Sequence, residues 1–150
     1  METIQTQEKN KEIVLNLYEG VLNMGKLELL NTIFSEDYMG FSGPLGVKGV
    51  AGFTMTVKGL IAAFPDIKWT IEDLFAEGDK VALKWTWKGI NSGEYRGLPP
   101  TQKEFTNSGI GIYQLSEGKI VNGWLETDRL GFLQQRGLVP QDLFPAPPKK

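Results

Sequence analysis

The chain has 150 residues, of which 41% are hydrophobic and 23% are charged, and its formal net charge is -2. This length and composition are typical of one globular domain with one core. Because the basic residues are scattered and balanced by acidic ones, the sequence offers no cationic surface for nucleic acid, and no stretch reaches the about 18 apolar residues of a membrane span.

Neither cysteine nor histidine occurs in the chain. Disulfides, the usual zinc ligands and Ser-His or Cys-His catalytic pairs are therefore excluded, and we expect no metal and no other cofactor. The N-terminus lacks the basic and apolar segments of a secretory signal, so we expect a cytoplasmic protein. Proton transfer would fall to Asp, Glu, Lys or Tyr in a pocket that changes their proton affinity.

Three helices are predicted in the first half of the chain. Apolar residues recur at helical spacing over residues 8–23 and again, in a shorter segment, over residues 27–34. A third helix is predicted from about residue 47 until Pro65 ends it. Between the second and third helices, the aromatic stretch 38–41 fits a short strand or a loop.

After the third helix the period of the pattern changes to two, which predicts strands. Residues 67–72 and 81–87 are predicted to form one hairpin, and residues 105–115 and 120–128 another, each joined by a turn that contains glycine. Helices that precede four long antiparallel strands indicate an α+β domain. A curved sheet of this size with helices against one face can enclose a pocket.

The domain is predicted to cover residues 1–138, followed by a proline-rich tail, residues 139–150. Residues 130–137 fit one last short helix. Four prolines after that helix prevent further regular structure, so we expect an extended end.

The sharpest candidate site lies in the last predicted strand, where Trp124, Glu126 and Asp128 share a face. On a surface that faces a cavity, two neighbouring carboxylates raise each other's proton affinity and an indole excludes water. Asp128 and Glu126 are therefore candidates for acid–base catalysis. The same residue types also fit a strand edge exposed to solvent, with Asp128 as the N-cap of the following helix.

Two neighbouring strands predict the lining of the interior. Trp85 and Trp87 share an apolar face, which is either a wall for a flat apolar ligand or part of the core. In the next strand Asn107 shares a face with Gly109 and Gly111, an unusual set for a filled core. That pattern favours a cavity; the alternative is a bent sheet whose glycines relieve crowding against a helix.

Six segments, spread over nearly the whole predicted domain, together carry a resemblance to a known protein family. They are residues 10–19 (NKEIVLNLYE), 63–67 (AFPDI), 71–81 (IEDLFAEGDKV), 93–101 (GEYRGLPPT), 118–121 (GKIV) and 128–135 (DRLGFLQQ). Together they resemble the SnoaL-like polyketide cyclase or ester cyclase family. The resemblance implies an NTF2-like cone, in which three N-terminal helices pack on a curved, mostly antiparallel sheet and enclose a pocket.

The resemblance also implies a chemistry. In this family the Asp of the closing segment takes a proton from an activated carbon of a polyketide ester, and the enolate closes a ring without metal or cofactor; Asp128 matches that position. The implied ligand is a small apolar or aromatic carbonyl compound, and the implied assembly is a homodimer. On this basis we assign ligand contacts to Trp124, Asn107, Trp85, Trp87, Tyr38, Phe41, Tyr18 and Asn122.

Two positions depart from the family pattern. Many relatives carry a His where this chain has Gly123, and another where it has Phe41. If the chain is a cyclase, stabilisation of an enolate falls to one of the following residues: Asn107, Asn122, Tyr38 or Tyr113. The alternative is a non-catalytic protein of the same fold, which binds a small molecule or mediates dimerisation.

Overall fold

A computed structural model describes residues 3–42, 44–144 and 146–149. Met1, Glu2 and Gly43 of the predicted domain, and Pro145 and Lys150 of the predicted tail, lie outside these ranges. The elements in chain order are α1 (Ile4–Asn16), a π-helical segment (Leu17–Leu22), a 3-10 turn (Leu27–Leu29), α2 (Leu30–Ile33), β1 (Phe34–Ser42), β2 (Leu45–Lys48), α3 (Ala51–Ala63), β3 (Lys68–Glu77), β4 (Lys80–Ile90), β5 (Glu104–Ser116), β6 (Lys119–Thr127) and α4 (Arg129–Gln135).

The helices begin and end where local chemistry requires. α1 starts earlier than predicted because Thr3 Oγ1 accepts a hydrogen bond from the Thr6 amide (3.1 Å), which caps the first turn. α3 ends at Ala63, before Pro65, as predicted. No helix formed by the described residues is both long and apolar enough to cross a membrane.

The six strands of the described residues form one sheet in the order β2-β1-β6-β5-β4-β3. Its neighbours are antiparallel except β1 and β6, which run parallel. The four long strands predicted from the sequence are β3 to β6, and that prediction is confirmed. Glu117 and Gly118 both have positive φ (50° and 77°), the requirement of the tight turn that joins β5 to β6. Register shifts in β1, β3 and β6 bend the sheet.

The predicted start of the third helix is wrong. Val47 pairs with Gly40 in β2, and α3 begins only at Ala51. The reason is that Leu45 and Val47 alternate with polar or small residues in a strand too short to show a clear period of two.

In the part of the chain that the structure describes, the helices cover one face of the sheet, the inner face, and none lies on the opposite outer face. Alternate residues of β4 and β5 are buried on the inner face, from Val81 to Trp87 and from Phe105 to Leu115. Within the described residues, four α-helices and a six-stranded curved sheet make up the α+β fold that the sequence predicted.

α4 closes one end of the inner face. Its Phe132 is buried against Phe64 and Phe105 (ring centroids 6.3 and 5.7 Å apart). The Gln135 side chain accepts from the Thr106 amide (3.0 Å) and donates to its carbonyl (2.7 Å), so it pairs with β5 where β6 has already ended. α4 and the residue before it are thereby fixed to the sheet.

Candidate functional site

Three tyrosines bring their hydroxyl groups together on the inner face. Tyr18 and Tyr113 are buried and their Oη atoms lie 2.8 Å apart. Tyr38 Oη and the Tyr113 ring both lie over Gly123, where an added β-carbon would be 2.6 Å from Tyr38 Oη. Glycine at position 123 therefore makes the room for this tyrosine cluster, which we define as Tyr18, Tyr38 and Tyr113.

The tyrosine cluster consists of neutral hydrogen-bond donors. Burial raises the pKa of Tyr38 to about 12 and the pKa of Tyr18 and Tyr113 well above the ordinary range, because removal from water disfavours the charged form. Each hydroxyl can donate one proton. Among the described residues these hydroxyls make one hydrogen bond, between Tyr18 and Tyr113, so two of their three protons have no acceptor there.

Trp85 adds a further donor on the same face. Its side chain is only 7% exposed, and its Nε1 is buried without a hydrogen-bond partner among the described residues. The indole lies across Gly109, where an added β-carbon would overlap Trp85 Cζ2. An unsatisfied buried donor costs about 1–3 kcal/mol, so this N–H is an unusual feature of the interior.

Trp87 and Asn107, the other two residues that were predicted on the inner face, have different surroundings. Trp87 packs into an aromatic cluster, with its ring 4.9 Å from Phe64 and 6.3 Å from Phe132, and serves as core. Asn107 Oδ1 accepts from the Ser108 amide (2.9 Å), which leaves its Nδ2 as a donor. The prediction that β4 and β5 present aromatic and amide groups inward is confirmed.

Asp128 lies between β6 and α4. Its Oδ1 accepts from the Gly131 amide (2.8 Å), so it is the N-cap of α4, which is the alternative that the sequence offered. The Asp128 amide in turn donates to the Ser108 carbonyl (3.0 Å). The side chain is exposed, and Oδ2 has no partner among the described residues. The cap fixes one carboxylate oxygen and leaves the other available.

Two open grooves meet at Asp128. Both are built mainly by outer-face residues. One, of about 420 Å³, is lined by Thr86 and Ser108 as well as by Trp87 and Asn107, and the other, of about 310 Å³, by Glu126 and Thr127. The structure therefore brings Asp128, Asn107 and Trp87 to one depression and Asp128 and Glu126 to its neighbour. Among the described residues no group of three or more Asp or Glu side chains is placed to share a metal ion, so we assign no metal ligand.

Asp128 follows the end of β6, whereas the tyrosine cluster lies over the middle of the strand, at Gly123. Gly123 precedes Asp128 by five residues, which is about 17 Å along an extended strand. Trp85 lies close to the Asp128 end, because Gly109 pairs with Trp85 on one side and with Thr127 on the other. Of the inner-face donors, Asn107 and Trp85 are thus nearer to Asp128 than the tyrosines are.

The expected orientation of Trp124 and Glu126 is wrong. The two residues do share a face with Asp128, but it is the outer one, since Gly123 and Leu125 pair with Tyr113 and Gly111 on the inner face and Asp128 donates to the outer-face residue Ser108. Phe41 and Asn122, two further predicted ligand contacts, are also on the outer face. The Phe41 ring stacks on Trp124 (5.6 Å, 9°), and Asn122 Nδ2 donates to Gln114 Oε1 (2.9 Å).

The outer face carries a row of apolar side chains that crosses the sheet. Paired positions run from Phe41 to Trp124, Ile112, Ala82 and Phe75. Ile112, Trp124 and Phe75 are exposed. We call these five residues the outer row; they form an apolar strip that no other part of the described residues covers.

Sequence reasoning did not assign a site role to the pairing of Tyr18 with Tyr113 or to the unpartnered N–H of Trp85. Tyr18 and Tyr113 are 95 positions apart in the chain, so no local sequence pattern connects them. The Trp85 N–H was visible only as a tryptophan opposite a glycine, and that pairing depends on the strand register.

Solved structures share this fold. AclR from Streptomyces galilaeus, a proposed hydroxylase, superposes with a TM-score of 0.84 at 24% identity over 91% of this chain and 85% of its own. A proposed polyketide cyclase from Acidithiobacillus ferrooxidans has a TM-score of 0.74 at 32% identity, covering 92% and 100%. IdmH from Streptomyces antibioticus, also a proposed polyketide cyclase, has a TM-score of 0.74 at 27% identity, covering 85% and 98%.

No curated protein sequence matches the chain. The sequence model of the SnoaL-like polyketide cyclase family, in contrast, matches residues 12–136, which include every helix and strand from the middle of α1 to the end of α4. The resemblance seen in the sequence is confirmed, together with the NTF2-like cone. This chain belongs to the SnoaL-like polyketide cyclase family.

Proposed function

We propose that the protein is a cofactor-free enzyme that removes a proton beside a carbonyl group of a polyketide-like compound, with Asp128 as the base. The observation that carries the proposal is the position of Asp128, whose Oδ2 is unengaged in an open groove of about 420 Å³ that Asn107 and Gln135 also line. The family to which the chain belongs, and the polyketide cyclases proposed among its structural relatives, support the same reaction class.

The reaction needs no group that the chain lacks. The C–H bond breaks, its proton moves to Asp128 Oδ2, and its electron pair forms an enolate. The enolate carbon then attacks a second carbonyl carbon of the same molecule, a C–C bond forms, and the oxygen of that carbonyl takes the proton back from Asp128. Return of the proton to a different carbon would instead give an isomerisation.

The donors on the inner face fit an oxygen-rich, uncharged ligand. Of the four residues that could replace the family's imidazoles, Asn122 lies on the outer face, and Tyr38 and Tyr113 lie about 17 Å along β6 from Asp128. Asn107 remains as the donor nearest the base.

One observation favours a second candidate, a non-catalytic binding protein of the same fold. Asp128 is exposed and already serves as a helix cap, as a purely structural carboxylate would. In that case the grooves beside Asp128 would bind a carbonyl compound and leave it unchanged.

Deuterium exchange distinguishes the two candidates. The probe is benzoylacetone with one methyl group on its central carbon, whose single acidic proton lies between two carbonyls. We expect the protein to accelerate exchange of this proton in deuterated water, read by proton NMR as collapse of the methyl doublet, beyond the rate given by an equal concentration of acetate. Binding of the probe without acceleration would support the binding protein and reject the enzyme.

We also propose that the outer row is covered by a second copy of this chain. Lys84 and Glu126 flank Ile110 in the next cross-strand row, one on β4 and one on β6. If two protomers stack outer face to outer face about a two-fold axis parallel to β5, β4 of one copy lies opposite β6 of the other. Lys84 of one copy would then face Glu126 of the other. This complementarity favours the homodimer that the family resemblance implied.

Replacement of Ile112 by glutamate is expected to convert the dimer to a monomer in sedimentation velocity, because it places a charge in the outer row. The control is Met55→Glu, which alters an apolar residue that is more exposed than Ile112 (74% against 40%) but lies on α3, away from the outer face. A monomeric unmodified protein, or an Ile112→Glu variant that remains dimeric, would contradict the assignment.

A further inference from the structure

The groove of about 420 Å³ that Asp128 lines carries positive charge on the side away from Asp128. Lys68 on β3 and Lys88 on β4 line it there. We infer that these two lysines bind a carboxylate of the ligand whose C–H bond Asp128 breaks. The inference rests on the proposed function and names its substrate class, a carbonyl compound that also carries a free carboxylate.

The two lysines lie directly opposite each other in the register of β3 and β4. Both are exposed on the outer face, since Trp69 and Trp87, which pair with each other one residue along, are buried on the inner face. Like charges at opposed positions of neighbouring strands destabilise a sheet. An anion bound between the two ammonium groups would replace this repulsion with attraction.

The positive charge of the two lysines is available to a ligand. Among the ion pairs of the described residues, none involves Lys68. Lys88 Nζ lies 3.5 Å from Glu104 Oε1, and both of these side chains are more than half exposed (64% and 55%). An exposed ion pair of this kind contributes little free energy, so Lys88 can exchange Glu104 for a carboxylate of the ligand.

Asp128 sets the direction in which such a ligand lies. The Asp128 amide donates to the Ser108 carbonyl (3.0 Å), and Ser108 pairs with Thr86 on β4. Lys88 is two residues beyond Thr86, which places its α-carbon about 12 Å from that of Asp128. Because the Asp128 carboxylate repels a second carboxylate, an anionic ligand in the groove points its charge at the lysines. Its uncharged carbonyl end then lies at Asp128 and Asn107.

The test compares two derivatives of the methylated benzoylacetone. One carries a carboxylate at the para position of its ring, and the other is the methyl ester of the same acid, with a similar shape and no charge. At low salt we expect a roughly tenfold lower KM for the carboxylate than for the ester in deuterium exchange. Added salt should reduce this difference, because it screens exposed charges.

Replacement of either lysine should affect the carboxylate probe alone. We expect Lys68→Gln and Lys88→Gln each to raise its KM roughly three- to fivefold and to leave its kcat unchanged, as for loss of binding that ground state and transition state share. The KM of the ester should stay as it is in both variants. Glu104→Gln should have the opposite effect and lower the KM of the carboxylate probe, since it removes the acid that competes for Lys88.

Lys80→Gln is the matched control. Lys80 lies on the same strand and the same face as Lys88 but at the other end, and its Nζ is 3.7 Å from Asp79 Oδ1, much as Lys88 is near Glu104. Both probes should keep their KM in this variant.

Equal KM values for the carboxylate and its ester, or an unchanged KM in both Lys68→Gln and Lys88→Gln, would overturn the inference and leave the proposed function standing. If the unmodified protein exchanges neither probe, the proposed enzyme is rejected and dissociation constants from NMR titration decide on the site. Tighter binding of the carboxylate that Lys68→Gln weakens would support it, and equal binding of the two probes would overturn it.

Discussion

Replacement of Asp128 by asparagine is expected to reduce exchange of the methylated benzoylacetone roughly a hundred- to ten-thousandfold, the usual contribution of a positioned base. The fold should be unaffected. Asparagine is as good an N-cap as aspartate, so its Oδ1 can still accept from the Gly131 amide. Deuterium exchange by proton NMR measures the first effect, and urea unfolding measures the second.

Two further variants separate the roles of Asp128. Asp128→Ala removes cap and base together, so it should lose exchange and also about 1 kcal/mol of stability. Glu126→Gln changes the neighbouring carboxylate on the outer face and should leave exchange as it is. Full exchange in Asp128→Asn would show that the base is a different residue. Loss of exchange in Glu126→Gln would show that the groove lined by Glu126 takes part in the reaction.

The sequence was sufficient for the fold where hydrophobic periodicity extends over a long segment. β4 and β5 alternate buried and exposed residues throughout, and both were predicted. β2 was missed because its four residues are too few to distinguish a period of two from the first turn of a helix. The parallel contact between β1 and β6 joins segments distant in the chain, and no local pattern reports such a contact.

The sequence was less informative about the site, because alternation tells which residues share a face and not which face is covered. Trp124 shares a face with Glu126 and Asp128, and that face was expected to line the cavity. In the structure the inner positions of β6 are taken by Gly123 and Leu125, since Tyr38 and Tyr113 need the space above position 123. Trp124 is instead stacked on Phe41 outside, so the glycine was the more informative residue.

Asn91 is the second position where one substitution should have a large effect. It lies in the loop after β4 and is almost fully buried. Its Nδ2 donates to the Ala63 and Gly93 carbonyls (3.2 and 2.8 Å). Its Oδ1 accepts from the amide and hydroxyl of Thr101 and from the Arg136 guanidinium (2.8 Å). One side chain thus joins the end of α3, the loop and the end of α4.

Asn91→Ala is expected to lower the free energy of unfolding by about 3–5 kcal/mol, because the substitution leaves several buried groups and one charge without their partner. Urea unfolding measures the loss, and Asn122→Ala is the control. Asn122 makes one side-chain bond at the outer face, so its removal should cost about 0.5–1.5 kcal/mol.

Since α4 begins at the residue after Asp128, a folded Asn91→Ala protein should also show slower deuterium exchange than Asn122→Ala. Equal stability of the two variants would mean that water replaces the Asn91 amide, and that α4 is positioned by Phe132 and Gln135 alone.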